Sequence, residues 1–431
     1  MSKNLTNTVL NFIKRKKYDE AINFLENFAK INKDTNLKHR MLGLIYLNKK
    51  QWEKSLLNYQ KISKEEINFE IYNNMGVALY KLGQFSEASI KFQEAINNKN
   101  TYAPAYENFC VTNKLLGNYN LAIEFSIKAL NLFPSNNKIK NNLIDIFNYF
   151  KTENNTNLIL QTNNQILKLN LENNNDKFIK ISSLSKILNK SYEILKNNNL
   201  VLNYPHVQIF KKNTTNYECE RHLQIFSEHR IIPKFCFSCY KVQITLNNVL
   251  ELLKLYFYFN NLNLEEDNIR KCIVELRNNV DGNYKGYIFC KSITEAKNIK
   301  KIINSDIESK KIIVKKIEIK HGCTEYYEQF ELYKKIDEDV QNKIYQNKWN
   351  DIEQKFNERN LIEENKKERV FGNTIKLFNL PDFLIIKNWL IYAKVLGDSS
   401  YEKIINFELN INNLSKLEIE KINLRKKYLV S

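Results

Sequence analysis

The chain has 431 residues, of which 43% are apolar and 26% charged. A length of this order suits two or three domains, and the composition excludes a wholly disordered chain, a collagen and a coiled-coil rod. The formal net charge is +18, but only nine of the 66 cationic side chains are Arg, the residue that nucleic-acid readers favour, so the charge is weak evidence for nucleic acid.

The sequence predicts neither a signal peptide nor a membrane span. Residues 1–17 lack an apolar core before their charges, and the longest apolar runs, 249–259 and 383–396, are interrupted by Lys254, Lys387 and Lys394. We therefore expect a cytoplasmic protein without a membrane partner. In that compartment we expect its seven Cys to be free thiols or metal ligands rather than disulfides.

Residues 1–136 contain an internal repeat. Ala21, Ser55, Ala88 and Ala122 are spaced 34, 33 and 34 residues apart. Two successive units carry the pattern most clearly, through Tyr72, Met75, Gly76, Leu79, Gly83, Ala88, Phe92 and Ala95 in one and Tyr106, Phe109, Gly117, Ala122, Ala129 and Pro134 in the next. The pattern resembles the tetratricopeptide repeat (TPR), a helix-turn-helix unit of about 34 residues.

The resemblance implies an α-solenoid whose concave surface binds a protein or peptide partner. We expect Tyr72 and Tyr106 to contact that partner. The alternative is that the surface packs on the C-terminal half of the same chain. Residues 137–200 remain helical in pattern but lose the repeat signature, which predicts degenerate repeats or capping helices.

Residues 201–323 form a predicted Cys- and His-containing α+β module. Cys219 and His222 make a C-x-x-H pair, Cys236 and Cys239 make a C-x-x-C pair, and 13 residues lie between the pairs. Two close pairs at such a separation are typical of a structural zinc site. His229, His321 and Cys323 are substitute ligands. The alternative is that the thiols are ordinary core residues.

The same module alternates in pattern between strands and helices. Segments 235–245, 269–277 and 284–292 read as strands, and so does the segment that ends at Lys320, while helices follow the first and third strands. The order βαββαβ, with a hairpin turn at 280–283, predicts a ferredoxin-like fold. Cys272, Val274, Leu276, Ile288 and Cys290 should face the helices, and Lys271, Arg277, Tyr287 and Phe289 the open side of the sheet.

One strand of this module partly resembles the third-strand signature of the RNA-recognition motif. Lys285, Gly286, Tyr287 and Phe289 agree with that signature, while Ile288, Cys290 and Ser292 depart from it. The resemblance implies that Tyr287 and Phe289 stack on bases beside Lys285. The alternative is that another part of the chain covers these aromatic residues.

Residues 324–431 are predicted to form a helical C-terminal extension. One amphipathic helix is expected around Trp349, Ile352 and Phe356. A second is bounded by Pro381 and Gly397, with Trp389 on its apolar stripe. The segment 414–429 is a third predicted helix.

These features favour a protein-interaction scaffold in which a TPR-like solenoid recruits a protein or peptide and a zinc-stabilised module adds a second contact. Two alternatives stay open. One is a nucleic-acid-binding protein using the Tyr287 and Phe289 face, and the other is an enzyme of unrecognised class acting on a peptide held by the repeats. No phosphate loop, zincin motif or serine elbow is recognised in the sequence, so an enzyme is the less favoured class.

Overall fold

The computed structural model describes residues 2–31, 34–169, 179–213, 215, 217–277, 280–337, 339–364, 372–411 and 419–425. The chain divides into two compact units. One comprises Met1–Ile146 with Glu358–Val370, and the other Phe147–Asn357 with Phe371–Ser431.

The first unit is a series of antiparallel helical hairpins. Its helices are α1 (Ser2–Lys14), α2 (Tyr18–Ile31), α3 (Thr35–Asn48), α4 (Trp52–Tyr59), α5 (Phe69–Lys81), α6 (Phe85–Asn98), α7 (Ala103–Leu115), α8 (Tyr119–Leu132) and α9 (Asn137–Ile146), with a short 3-10 turn at Lys64–Glu66. Helices α1, α3, α5 and α7 each pack on the even-numbered helix that follows and on the next odd-numbered helix. The predicted TPR-like solenoid is confirmed.

Small residues set the spacing between the two helices of a hairpin. A Cβ atom at Gly76 would lie 2.6 Å from the ring of Phe92, and one at Gly43 would lie 2.7 Å from the ring of Tyr59. These pairs are related by one repeat of 33 residues. Ser55, which stands where the other units have Ala, is buried and donates a hydrogen bond to the carbonyl of Gly43 (2.8 Å).

The second unit contains helices around one sheet. Its elements are α10 (Leu158–Leu167), α11 (Ile181–Asn197), β1 (Gln208–Lys211), α12 (Cys219–His229), β2 (Tyr240–Leu246), α13 (Val249–Asn261), β3 (Arg270–Val274), β4 (Tyr284–Cys290), α14 (Ile293–Ser309), β5 (Val314–His321), α15 (Val340–Ile344), α16 (Asn347–Glu364) and α17 (Leu380–Leu396), with 3-10 turns at Lys234–Phe237, Glu331–Lys334 and Ser399–Lys403.

The five strands form one antiparallel sheet in the order β1-β3-β4-β2-β5. The predicted α+β character is confirmed, but the edge strand β1 was not predicted. The expected first strand is also too long, because residues 234–237 form a 3-10 turn and β2 begins only at Tyr240.

Helix α13 forms the centre of this unit. Its residues 249–260 are all buried, and it packs on β2, β3, β4 and α17. Gly286 on β4 leaves room for it, since a Cβ atom there would lie 2.3 Å from Leu255. Cys272, Ile288 and Cys290 are buried, in keeping with the helix-facing side predicted for them.

The C-terminal helix α17 belongs to the same core. It begins at Leu380 with Pro381 in its first turn and ends at Leu396, where Gly397 with a positive φ of 85° caps the helix, as predicted. Trp389 is fully buried and donates a hydrogen bond to the carbonyl of Val207 (2.8 Å). Of the third predicted helix, residues 419–425 are helical, and the rest lies outside the described residues.

Candidate functional site

Four cysteines from three separate segments come together in the second unit. Cys219 begins α12, Cys236 lies in a 3-10 turn, Cys239 precedes β2 and Cys323 follows β5. The register of β2 and β5 brings the last two segments together, because Tyr240 pairs with His321 and the N–H of Gly322 donates to the carbonyl of Cys239 (2.8 Å).

Three of the four thiols interact directly. Cys323 forms thiol–thiol hydrogen bonds with both Cys219 and Cys236, and the Cys236 Sγ lies 3.4 Å from the hydroxyl of Tyr326. Cys239 packs on the backbone, since a Cβ atom at Gly322 would lie 2.5 Å from its Sγ. Cys236 and Cys239 are buried, Cys323 is half-buried and Cys219 is exposed.

Two thiols of this cluster have raised pKa values. Burial, with a smaller electrostatic contribution from Cys323 and Cys219, raises the pKa of Cys239 to about 12. The hydrogen bond to Cys323, followed by burial, raises the pKa of Cys219 far above its usual range. All seven cysteines are free thiols.

The three histidines considered as ligands have other neighbours. His222 stacks on the ring of Phe235 (5.2 Å between centroids), and His321 stacks on Tyr240 and Tyr333 (4.8 and 4.1 Å). Burial lowers the pKa of His321 to about 4, and its Nε2 lies 3.3 Å from the carbonyl of Lys335. His229 is partly exposed beside Glu228.

Of the predicted ligands Cys219, His222, Cys236 and Cys239, the thiols therefore share one cluster with Cys323, whereas the ring of His222 contacts an aromatic side chain. Within the described residues, no group of three or more His, Cys, Asp or Glu side chains is arranged to hold a metal ion. From the sequence, Cys323 is expected only as a substitute metal ligand, because it lies far from the other cysteines of the cluster along the chain.

The predicted open face of the sheet is largely covered. Tyr287 exposes 7% of its surface, and the ammonium groups of Lys241 and Lys271 lie 5.3 and 5.8 Å from its ring centre. Lys285 exposes 1%, with its Nζ 3.7 Å from Glu275. Alternation along a strand placed these residues correctly on one side, but it does not predict what covers that side.

Phe289 is the most accessible aromatic residue on this strand. It is half-buried, and its ring centre lies 6.5 Å from that of Tyr217 and from that of Tyr287. The expectation that Lys285, Tyr287 and Phe289 bind bases stays a prediction, although neither Lys285 nor Tyr287 presents an accessible face in this structure.

In the first unit, the two predicted partner-binding tyrosines differ in position. Tyr72 is half-buried, with the ammonium of Lys91 5.6 Å from its ring centre. Tyr106 exposes only 4% of its surface and packs against Phe125 and Phe133. Tyr106 therefore belongs to the core of the array, and of the two only Tyr72 presents appreciable surface.

Polar contacts join successive odd-numbered helices. Asn108 on α7 donates a hydrogen bond to Asn73 on α5 (2.9 Å), and Lys114 on α7 forms an ion pair with Asp145 on α9 (3.0 Å). Arg40 on α3 pairs with Glu70 on α5 (2.8 Å). These contacts are not predicted from the sequence, although their separations of 30 to 35 residues are close to the repeat length.

Residues 3–156, a little over a third of the chain, match the family model of the coatomer epsilon subunit. No curated protein matches the chain. No helix within the described residues is long and apolar enough to cross a membrane.

Several solved TPR structures are similar to the N-terminal part. YrrB, described as a TPR protein with an unusual peptide-binding site, is 15% identical, with a TM-score of 0.30, over 33% of this chain and 74% of that chain. PilF of Pseudomonas aeruginosa is 19% identical, with a TM-score of 0.31, over 34% and 67%. The second TPR domain of human RPAP3, solved with an HSP70 peptide, is 20% identical, with a TM-score of 0.25, over 26% and 94%.

Proposed function

We propose that this protein is an interaction scaffold whose TPR-like array binds a segment of a partner protein. The observation that carries the proposal is the continuous row of helices α1, α3, α5, α7 and α9, each packed on the next. In a curved array of hairpins, such a row lines an extended surface suited to binding a chain. The match of residues 3–156 to a subunit of a protein assembly supports the same class of partner.

The row offers hydrogen-bonding groups beside aromatic surface. Asn74 and Asn108 are half-buried amides on α5 and α7, and Tyr72 lies on the same helix as Asn74. Amides can both donate to and accept from a peptide backbone. A partner segment bound here would therefore be held through its main chain as well as its side chains.

Site-specific crosslinking of the full chain tests this proposal. A photoreactive amino acid at Tyr72 on α5 should crosslink one partner in cells, whereas the same group at Ile90, which is 58% exposed on α6, should not. The partner is then purified, and its affinity for the wild-type chain is measured by calorimetry. Equal crosslinking at both positions would place the partner elsewhere on the molecule.

Substitution provides the second arm of the test. Asn108→Ala removes an amide of the row, and Ile90→Ala is its control on the other row. We expect Asn108→Ala to weaken partner binding by about tenfold, since a hydrogen bond left unmade at an interface costs on the order of 1 to 2 kcal/mol. Unchanged affinity in Asn108→Ala, with the fold intact by circular dichroism, argues against this surface.

For the second unit, we propose a ferredoxin-like module stabilised by zinc. The order β3-β4-β2-β5, with α13 after β2 and α14 after β4, supports this topology, with β1 added at the edge. The pairing of β2 with β5, which brings the segment of Cys236 and Cys239 beside Cys323, supports the metal. The division at 136, 200 and 323 remains a prediction, and so does the cytoplasm as compartment, which the free thiols favour.

A salt series separates the scaffold from a nucleic-acid-binding protein. Binding through phosphates weakens steeply as salt rises, whereas a peptide held by main-chain hydrogen bonds is much less sensitive. We expect no RNA or DNA binding at low salt, given how little of Lys285 and Tyr287 is accessible. Tight, salt-sensitive RNA binding would replace the scaffold as the leading function.

A further inference from the structure

We propose that Cys219, Cys236, Cys239 and Cys323 together bind one zinc ion, and that Cys323, not His222, is the fourth ligand. The inference rests on the proposed zinc-stabilised module and specifies its ligand set. It describes a structural site, since four protein ligands leave no open position for a substrate.

The first line of argument is convergence. Of the seven cysteines in the chain, these four come from α12, the turn before β2 and the loop after β5, and the thiols of three of them interact directly. Cys323 lies at the centre, because its thiol is hydrogen-bonded to those of Cys219 and Cys236. Two sulfurs bound to one zinc at about 2.3 Å are about 3.8 Å apart, which is comparable to the length of a thiol–thiol hydrogen bond.

The second line is the way in which Cys239 is held. Its sulfur occupies the space where a side chain at position 322 would start, and the hydrogen bond from Gly322 N–H to the carbonyl of Cys239 fixes the two segments. Cys239 and Cys323 are thereby anchored at the neighbouring ends of two paired strands before any metal arrives. A glycine between His321 and Cys323 is what permits this approach.

Metal binding changes the protonation of the cluster. The thiols that now share hydrogen bonds give up four protons, so four R–SH and Zn²⁺ yield Zn(SR)₄²⁻ and four H⁺. The sulfurs then close around the ion in place of the S–H···S contacts. Within the described residues no group of three or more His, Cys, Asp or Glu side chains could hold a metal as it stands, so binding requires the four sulfurs to move together.

The test uses the full chain purified under reducing conditions. Elemental analysis should find about one zinc per chain, and replacing the zinc by Co²⁺ should give the absorption of a tetrahedral cobalt with four thiolates. This spectrum is read on the wild-type protein and so does not depend on whether a variant folds. A cobalt spectrum of three thiolates and one imidazole would overturn the four-cysteine assignment.

Two variants identify the fourth ligand. Cys323→Ser should lower the zinc content several-fold, whereas His222→Gln and the core variant Cys290→Ala should keep one zinc per chain. Loss of zinc in His222→Gln with retention in Cys323→Ser overturns the ligand set but leaves the zinc-stabilised module standing. Wild-type protein that is folded and free of zinc overturns both.

Discussion

At the level of single residues, the repeat array depends on the absence of one methyl group. Gly76 lies mid-helix in α5, where Ala is ordinarily preferred by about 1 kcal/mol, but its position is filled by the ring of Phe92. The same relation between Gly43 and Tyr59 one repeat earlier indicates that the fit belongs to the repeat itself.

We therefore predict that Gly76→Ala lowers the free energy of unfolding by about 1 to 3 kcal/mol, the usual cost of overfilling a packed core. In a Phe92→Leu background the ring is gone, and the same substitution should become neutral or slightly stabilising. Urea denaturation of the four proteins gives the coupling energy. Equal effects of Gly76→Ala in both backgrounds would contradict the steric explanation.

Glu275 is a second residue with a measurable consequence. Burial alone would raise its pKa, but hydrogen bonds from the side chain and backbone of Arg277 outweigh burial and lower the pKa to about 2. Its side chain is almost fully buried, while that of Arg277 is 55% exposed.

A carboxylate whose pKa is lower in the folded state stabilises the fold above its unfolded pKa of about 4.5, and this contribution is lost as the pH falls towards 2. We predict that Glu275→Gln is less stable than wild type at pH 7 and that the difference vanishes between about pH 4.5 and 2. Urea midpoints across this range provide the measurement. Asp281→Asn, at a carboxylate that is 76% exposed, should show no comparable difference.

At the level of elements, one buried ion pair joins α17 to the sheet. Asp382 on α17 lies 2.8 Å from Lys211 on β1 and accepts a hydrogen bond from Tyr256 on α13 (2.6 Å). The side chain of Asp382 is fully buried, and that of Lys211 nearly so. Because both charged groups are removed from water, the burial of each one is stabilised by the opposite charge of the other.

We predict that Asp382→Asn lowers the free energy of unfolding by about 3 to 5 kcal/mol, since it leaves the ammonium of Lys211 buried without a counter-charge. Adding Lys211→Met should restore most of the loss. Thermal unfolding of the single and double variants measures both effects. A double variant no more stable than Asp382→Asn would mean that the charge of Lys211 is not the cause.

Which elements could be predicted depends on the range of the forces that form them. The hairpins of the array and the ends of α17 follow from local signals: a repeat spacing, Pro381 and Gly397. The four-residue strand β1 has no such signal, because it is too short for alternation to stand out and it exists only through pairing with β3. The side chains of Lys241 and Lys271, which lie over the ring of Tyr287, likewise come from other segments of the chain.

The cysteine cluster shows the same limit. Two of its members are only three residues apart, and the C-x-x-C spacing identified them. Cys323 joins them because β2 and β5 pair across about 80 intervening residues, and no spacing rule reaches that far. Conversely, the short distance between Cys219 and His222 suggested a ligand pair, although the ring of His222 packs on Phe235 instead.

At the scale of the whole molecule, the two units have different sources of stability. The array depends on packing between neighbouring hairpins, as repeat proteins do, whereas the proposed zinc would act only in the second unit. Metal removal should therefore affect the two parts of one chain differently.

We predict that a zinc chelator accelerates amide hydrogen exchange in residues 219–246 and 314–333, while residues 69–115 in the array keep their protection. Exchange of the full chain, followed by mass spectrometry of its peptides with and without chelator, gives both measurements in one sample. Equal acceleration in the array would mean that the stability of the two units is not separable.

The strand order has one further consequence, for association between molecules. Within the described sheet β5 is an outer strand, and its main chain offers hydrogen-bonding groups on the side away from β2. An outer strand of this length could pair with a strand of another chain through main-chain hydrogen bonds. It carries Lys315, Lys316 and Lys320 against one carboxylate, Glu318, which pairs with two of them. The strand therefore keeps a net positive charge, which opposes the pairing of two copies. Part of the lysine excess can thus act as protection against aggregation, a role that requires no anionic partner.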